Sequence, residues 1–185
     1  MTQRAIDGDY IYFVTANVDH GQWYFVSSEW AEKLGQAIRT SCLMKKFDLL
    51  VYCILPNHFH LLVRKLPNRA LESARCERRN VSIAGQEPLY LFPHRRLSSR
   101  RIPNNDGQHY RLGDLMKSIK GSFSRILPKG KFWHRLFNFR IVENEEHLAN
   151  VVEYMIHNYR KMNVPEWYGQ PPFVFVDWER IKKLW

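Results

Sequence analysis

The first apolar run follows nine mostly polar residues. Tyr10 to Ala16 reads YIYFVTA, rich in aromatic and β-branched residues, which predicts a strand buried on both faces. Asp19 to Gln22 reads as a turn. Trp30, Leu34, Ala37, Ile38 and Cys42 then recur at spacings of three and four, predicting a helix from about Glu29 to Met44 with Ser28 as its N-cap. Phe47 to Leu55 and His58 to Arg64 read as two strands joined by a tight turn at Pro56-Asn57, where proline suits the first central position and asparagine tolerates the second. Leu112, Leu115, Met116, Ile119, Phe123 and Ile126–Leu127 mark a helix from Arg111 to Leu127, ended by Pro128 and Gly130. Phe137 to Val142 is a predicted strand. Asn144 caps a helix from about Glu145 to Met162, whose first two residues suit its positive end. The order β-α-β-β-α-β-α predicts an α+β fold of the split βαβ kind, an antiparallel sheet with helices on one face. This domain is expected to span residues 1–165. The aromatic, proline-bearing residues 166–185 form a tail, read as a strap or a short helix near Trp178 to Trp185.

One segment departs from these periodicities. Arg69 to Arg111 holds nine arginines, no lysine and four acidic residues, with frequent Gly, Pro, Asn and Ser. It reads as an insertion at about 69–111 that orders on binding. It carries half of the chain's net charge of +10, a balance that points to a polyanionic partner, either nucleic acid or an anionic membrane surface. The chain has no apolar run of the ~18 residues a membrane span needs. Met1 to Tyr10 lacks the apolar core of a signal peptide. Cys42, Cys53 and Cys76 are odd in number and scattered, which suits a reducing compartment, so a cytoplasmic location without membrane attachment is expected.

Two features carry candidate chemistry. The first is Pro56-Asn57-His58-Phe59-His60-Leu61-Leu62-Val63. Strand residues two apart point the same way, so His58 and His60 present paired imidazoles on one sheet face. Such a pair can chelate a divalent metal, and without cysteine company it suggests an incomplete site open to water or substrate. The alternative is a pair of surface strand histidines. The second feature lies on the last predicted helix. With Leu148 at zero and a turn of about 100° per residue, Leu148, Val151, Val152, Met155, Tyr159 and Met162 form the buried stripe. Tyr154 and Asn158 fall on its flank at about 240° and 280°. Tyr154 is thus a candidate nucleophile and Asn158 a candidate metal ligand through its amide oxygen. The alternative is a tyrosine at the rim of the core. Tyr159 ranks below Tyr154 because it falls on the stripe, and His157 is a more exposed substitute for Asn158.

The stretch LPNHFHLLVR, the segment Phe132-Trp133-His134-Arg135-Leu136-Phe137 and the stretch VVEYMIHN together resemble the single-tyrosine HUH transposases, and within them the REP-associated tyrosine transposase branch. The resemblance covers about Tyr10 to Val164. It implies a ferredoxin-like sheet, with the catalytic tyrosine on the last main helix, and single-stranded DNA, with hairpin structure, as substrate. His58 and His60 match the metal pair, Tyr154 the nucleophile and Asn158 the third metal position. The implied cofactor is Mg²⁺ or Mn²⁺. Family members occur as monomers or as homodimers with shared active sites. The family commonly has proline directly after the asparagine; this chain has Tyr159, so the helix is expected to run on.

The reading that follows is a metal-dependent enzyme that nicks and transfers single-stranded DNA through a 5′-phosphotyrosine, as in DNA transposition. Alternatives are a domesticated or replication-type HUH endonuclease and a non-catalytic nucleic-acid-binding module. Candidate phosphate contacts are Arg64, Lys117, Lys120 and Arg125, with Arg95, Arg96, Arg100 and Arg101 of the insertion as a clamp on the DNA. Trp133 and Phe137 either stack on unpaired bases or pack in the core.

Overall fold

A computed structural model describes residues 10–65, 110–127 and 131–184. All of them belong to one compact unit, and the arginine-rich segment lies outside them except for Tyr110 and Arg111. The elements are β1 (Ile11–Asn17), α1 (Ser28–Met44), β2 (Phe47–Leu55), β3 (His58–Lys65), α2 (Leu112–Ser124), β4 (Asn138–Val142), α3 (Glu145–Lys161), β5 (Val174–Val176) and α4 (Trp178–Lys182). Boundaries follow local chemistry. Ser27, one residue earlier than expected, caps α1 by accepting from the Trp30 amide, and Asn144 caps α3 by accepting from the His147 amide.

The five strands form one antiparallel sheet in the order β4-β1-β3-β2-β5. The first four strands reproduce the split βαβ order, confirming the α+β class. Alternation sorts their side chains. Tyr12, Val14 and Ala16 of β1 share a face with Phe59, Leu61 and Val63 of β3. That face is covered by α1 and α2, through Leu34, Ile38, Leu115, Ile119 and Phe123, all fully buried. The approach of α1 is close. A Cβ at Gly35 would lie 2.7 Å from the Tyr52 hydroxyl, so a larger residue there must push the Tyr52 ring aside.

The opposite face carries Phe13 and Thr15 of β1, His58, His60 and Leu62 of β3, and Val51, Cys53 and Leu55 of β2. It is covered by α3, which packs on β2. The expectation of helices on one face therefore holds for α1 and α2 and is corrected for α3. The reason is apolar surface: β2 and β3 are buried on both sides, and their second face needs the stripe of Leu148, Val151, Val152 and Met155. Residues after Pro165 also contribute more than a strap or a helix. Val174–Val176 extend the sheet beside β2, anchored by the Ile54 amide donating to Phe173 O (2.7 Å) and the Asp177 amide donating to Leu50 O (2.8 Å).

The β2–β3 turn is held from outside. Val18 N donates to Asn57 O at 2.8 Å, while Tyr24 N and Phe25 N donate to Pro56 O at 2.7 and 2.9 Å. The loop after β1 thus straps the turn that introduces the two histidines. Among the described residues no helix is long and apolar enough to cross a membrane.

Candidate active site

The sheet register decides how the histidines point. Asn17 pairs with His58 and Thr15 with His60. His58 Nδ1 lies 2.7 Å from Asn57 Oδ1, and His60 Nδ1 lies 2.9 Å from Thr15 Oγ1. The Asn57 amide is oriented by its nitrogen, which donates to Gly21 O at 3.4 Å, so its oxygen faces His58. His58 therefore donates from Nδ1 and keeps a lone pair on Nε2. The Thr15 hydroxyl accepts or donates, so His60 can carry its proton on either nitrogen.

With their Nδ1 atoms engaged behind them, the rings turn their Nε2 atoms toward each other at 3.2 Å. Two lone pairs cannot face each other at this distance unaided. Something electropositive must lie between or beside them, either a proton on one nitrogen or a shared cation. Two nitrogens about 2.1 Å from one ion and 3.2 Å apart subtend an angle of about 100°, a normal cis pair of ligands. Oxygen partners behind each ring are the usual support of metal-binding histidines. The residues present thus fit a divalent cation.

The candidate third ligand is of another kind. Among the described residues no three His, Cys, Asp or Glu side chains cluster. Asn158 is 3% exposed, and its side-chain nitrogen has no hydrogen-bond partner. A buried amide nitrogen without a partner is uncommon; it is a donor, so the oxygen on the other side of the same amide is the atom a cation would take. The helix runs on to Lys161, as Tyr159 in place of proline implies, and Asn158 rather than Tyr159 takes the buried position. His157 points away, into a groove between α3 and α4.

Tyr154 stands beside the pair. Its ring lies 5.5 Å from His60 and edge-on to Phe13 at 6.0 Å, while Phe13 stacks on His60 at 5.3 Å. Tyr154 is half-buried, held by packing yet open to a cavity. Lys161 Nζ sits 4.6 Å from the Tyr154 ring centroid, placing a cation against the phenol. Thr15 and Lys161 were not singled out in the sequence, and Asn57 was read only as a turn residue. The signal for Lys161 was there: it falls at about 220° on the helical wheel, one more position on the flank that carries Tyr154 and Asn158.

The predicted phosphate contacts fare differently. Arg64 is paired with Asp48 at 2.8 Å, and Arg180 shares that carboxylate at 3.3 Å. Lys120 donates to His134 O (2.9 Å) and Leu136 O (3.1 Å), and burial pushes its pKa down to about 8. Both cations are thus committed to holding the fold. Lys117 and Arg125 are exposed, at α2 on the far face of the sheet from Tyr154. Arg95, Arg96, Arg100 and Arg101 lie outside the described residues. Trp133 is core: its ring packs among Phe25, Phe59 and Phe123, and its Nε1 donates to Lys120 O. Phe137 is half-buried against Phe139.

Over 94% of this chain and 80% of the other, the structure is similar to that of a REP-associated tyrosine transposase bound to a REP hairpin, with a TM-score of 0.61 and 14% sequence identity. The chain has the fold of that transposase. A candidate transposase from Deinococcus radiodurans R1 is similar over 85% of this chain and 96% of its own, with a TM-score of 0.45 and 16% identity. No family model and no curated protein matches the sequence.

On this transposase fold the histidines are neutral at physiological pH, the form that binds metal. Burial pushes the pKa of His58 down to about 4; burial, with His58 adding to it, pushes that of His60 to about 3. In the unfolded chain both titrate near ~6.5. Acid therefore protonates the unfolded state first. The stability these groups allow is complete above about pH 6.5 and is lost as pH falls toward 4 and 3. The expected result is a melting temperature that drops between pH 7 and pH 4.5 more steeply in the wild type than in a His58→Gln, His60→Gln variant. Equal slopes would show that the pair is not buried in the neutral form.

Proposed function

We propose that the protein is a single-tyrosine HUH transposase that nicks and rejoins single-stranded DNA with Mg²⁺ or Mn²⁺. The observation that carries this reading is the placement of the Tyr154 ring 5.5 Å from an imidazole pair whose Nε2 atoms converge to 3.2 Å. A cation bound there would polarise a non-bridging oxygen of the scissile phosphate and offset charge in the transition state.

The remaining work belongs to the chain. Thr15 and Asn57 fix the imidazoles so that their free nitrogens face the ligand. Asn158 offers its amide from the buried side of α3. The Tyr154 oxygen attacks phosphorus as its proton passes to water. The bond to the leaving 3′ oxygen breaks, and that oxygen takes up a proton. The products are a 5′-phosphotyrosine and a free 3′-OH. Lys161, beside the ring, stabilises the phenolate as it forms. The phosphotyrosine keeps the energy of the broken bond, so a 3′-OH can reverse the reaction without a nucleotide cofactor.

The test is a covalent adduct. Labelled single-stranded hairpins incubated with the protein and Mg²⁺ or Mn²⁺ should yield a species that survives a denaturing gel. Tight binding with no adduct in either metal would leave a binding module and sink the enzyme. The arginine-rich segment is expected to clamp the DNA. Neutralising Arg95, Arg96, Arg100 and Arg101 should weaken binding at least ~10-fold and flatten the salt dependence by up to four units of slope, about one per lost phosphate contact. Unchanged affinity and slope would assign those arginines to solvent.

A further inference from the structure

A cavity of about 530 Å³ opens beside Tyr154, between α3 and β4. Its two walls are built by different periodicities. On β4, Asn138 and Arg140 are two apart and pair with Thr15 and Phe13, so both face the side of the sheet that carries His60. On α3, His147, Asn150 and Tyr154 are three and four apart and form one row. Phe13 forms the floor, and His60 and Tyr154 close one end. Among the described residues no carboxylate lines it.

This is an unusual set of groups to leave facing a slot. Two amides, one on each wall, each offer a donor and an acceptor. An aromatic floor supplies a flat apolar surface, and a guanidinium stands at the wall. Together they match a flat ring with a hydrogen-bonding edge joined to a phosphate. The volume lies within the range of small-ligand sites, sized for one nucleotide rather than a duplex. The slot ends at the tyrosine and the histidine pair, where a phosphodiester would be attacked.

We propose that this cavity is a subsite for one unpaired nucleotide adjoining the scissile phosphate, with Asn138 and Asn150 reading the base edge and Arg140 holding a phosphate. The proposal rests on the nicking reading above and adds to it a base selectivity. Amide side chains pair with base edges in two-point fashion, and such a pair discriminates bases by about 5- to 150-fold.

The experiment uses the full chain and a hairpin oligonucleotide with a randomised single-stranded flank, in Mn²⁺. Covalently captured and non-covalently retained molecules are sequenced separately. The wild type should prefer one base at a position next to the cleaved bond. Asn138→Ala with Asn150→Ala should reduce that preference at least about fivefold while preferences elsewhere persist. Asn150→Asp, which keeps the shape but only accepts, should shift the preference toward cytosine. Arg140→Gln should lower retention of all sequences alike and reduce the salt slope by about one. A preference unchanged in the asparagine variants overturns the subsite, as does the absence of preference in both wild-type fractions. If no adduct forms but the retained fraction shows an asparagine-dependent preference, the subsite stands and the nicking reading fails.

Discussion

Tyr154→Phe is expected to lower the yield of protein–DNA adduct by at least about 10³-fold while single-stranded DNA affinity stays within about twofold. The change removes one oxygen and keeps the ring. The contacts of that ring with Phe13, His60 and Lys161 therefore persist, and neither the helix nor the cavity beside it is disturbed. Tyr159→Phe is the matched control. Its ring packs against Gly169, and its hydroxyl accepts from Arg160 Nε at 3.2 Å, so it is tied to the surface of the domain. Adduct yield should be unaffected there. An adduct that persists in Tyr154→Phe and vanishes in Tyr159→Phe would reassign the nucleophile.

The second large effect concerns the histidine pair. His58→Ala with His60→Ala should abolish adduct formation in both metals and reduce Mn²⁺ affinity, measured by calorimetry, at least ~100-fold. DNA retention should survive, because neither imidazole is charged at neutral pH and the proposed phosphate contacts lie elsewhere. Thr15→Val tests the support behind the pair. It keeps the shape and removes the oxygen at 2.9 Å from His60 Nδ1, and should cost about 10- to 100-fold in Mn²⁺ affinity. Imidazole ligands favour Mn²⁺ over Mg²⁺, so the losses should be measured in both. Metal affinity unchanged in the double variant would remove the ions from the account. Loss of DNA binding together with the metal would point to a structural role for the turn.

The first four strands and the three long helices were legible from their periods, and His58, His60 and Tyr154 stood out as candidates at two-apart and flank positions. What the sequence withheld was relational. Amphipathicity shows that α3 buries one side, but not which face of the sheet receives it. Thr15 and Asn57 act through cross-strand register and a turn, which no local pattern announces. Arg64 and Lys120 read as free charge along the chain, yet Asp48 and two backbone carbonyls claim them across the fold. β5 is three residues long, too short to carry a period, and it follows the buried Tyr168 and Phe173; the Phe173 carbonyl accepts from the Ile54 amide of β2.

The nucleophile is identified by mass-spectrometric peptide mapping of the adduct formed with a single-stranded hairpin in Mn²⁺. The expected species is a nucleotide linked through phosphate to the peptide containing Tyr154, on the DNA fragment carrying the new 5′ end. Attachment at Tyr159 or any other side chain, or at a 3′ phosphate, would contradict it.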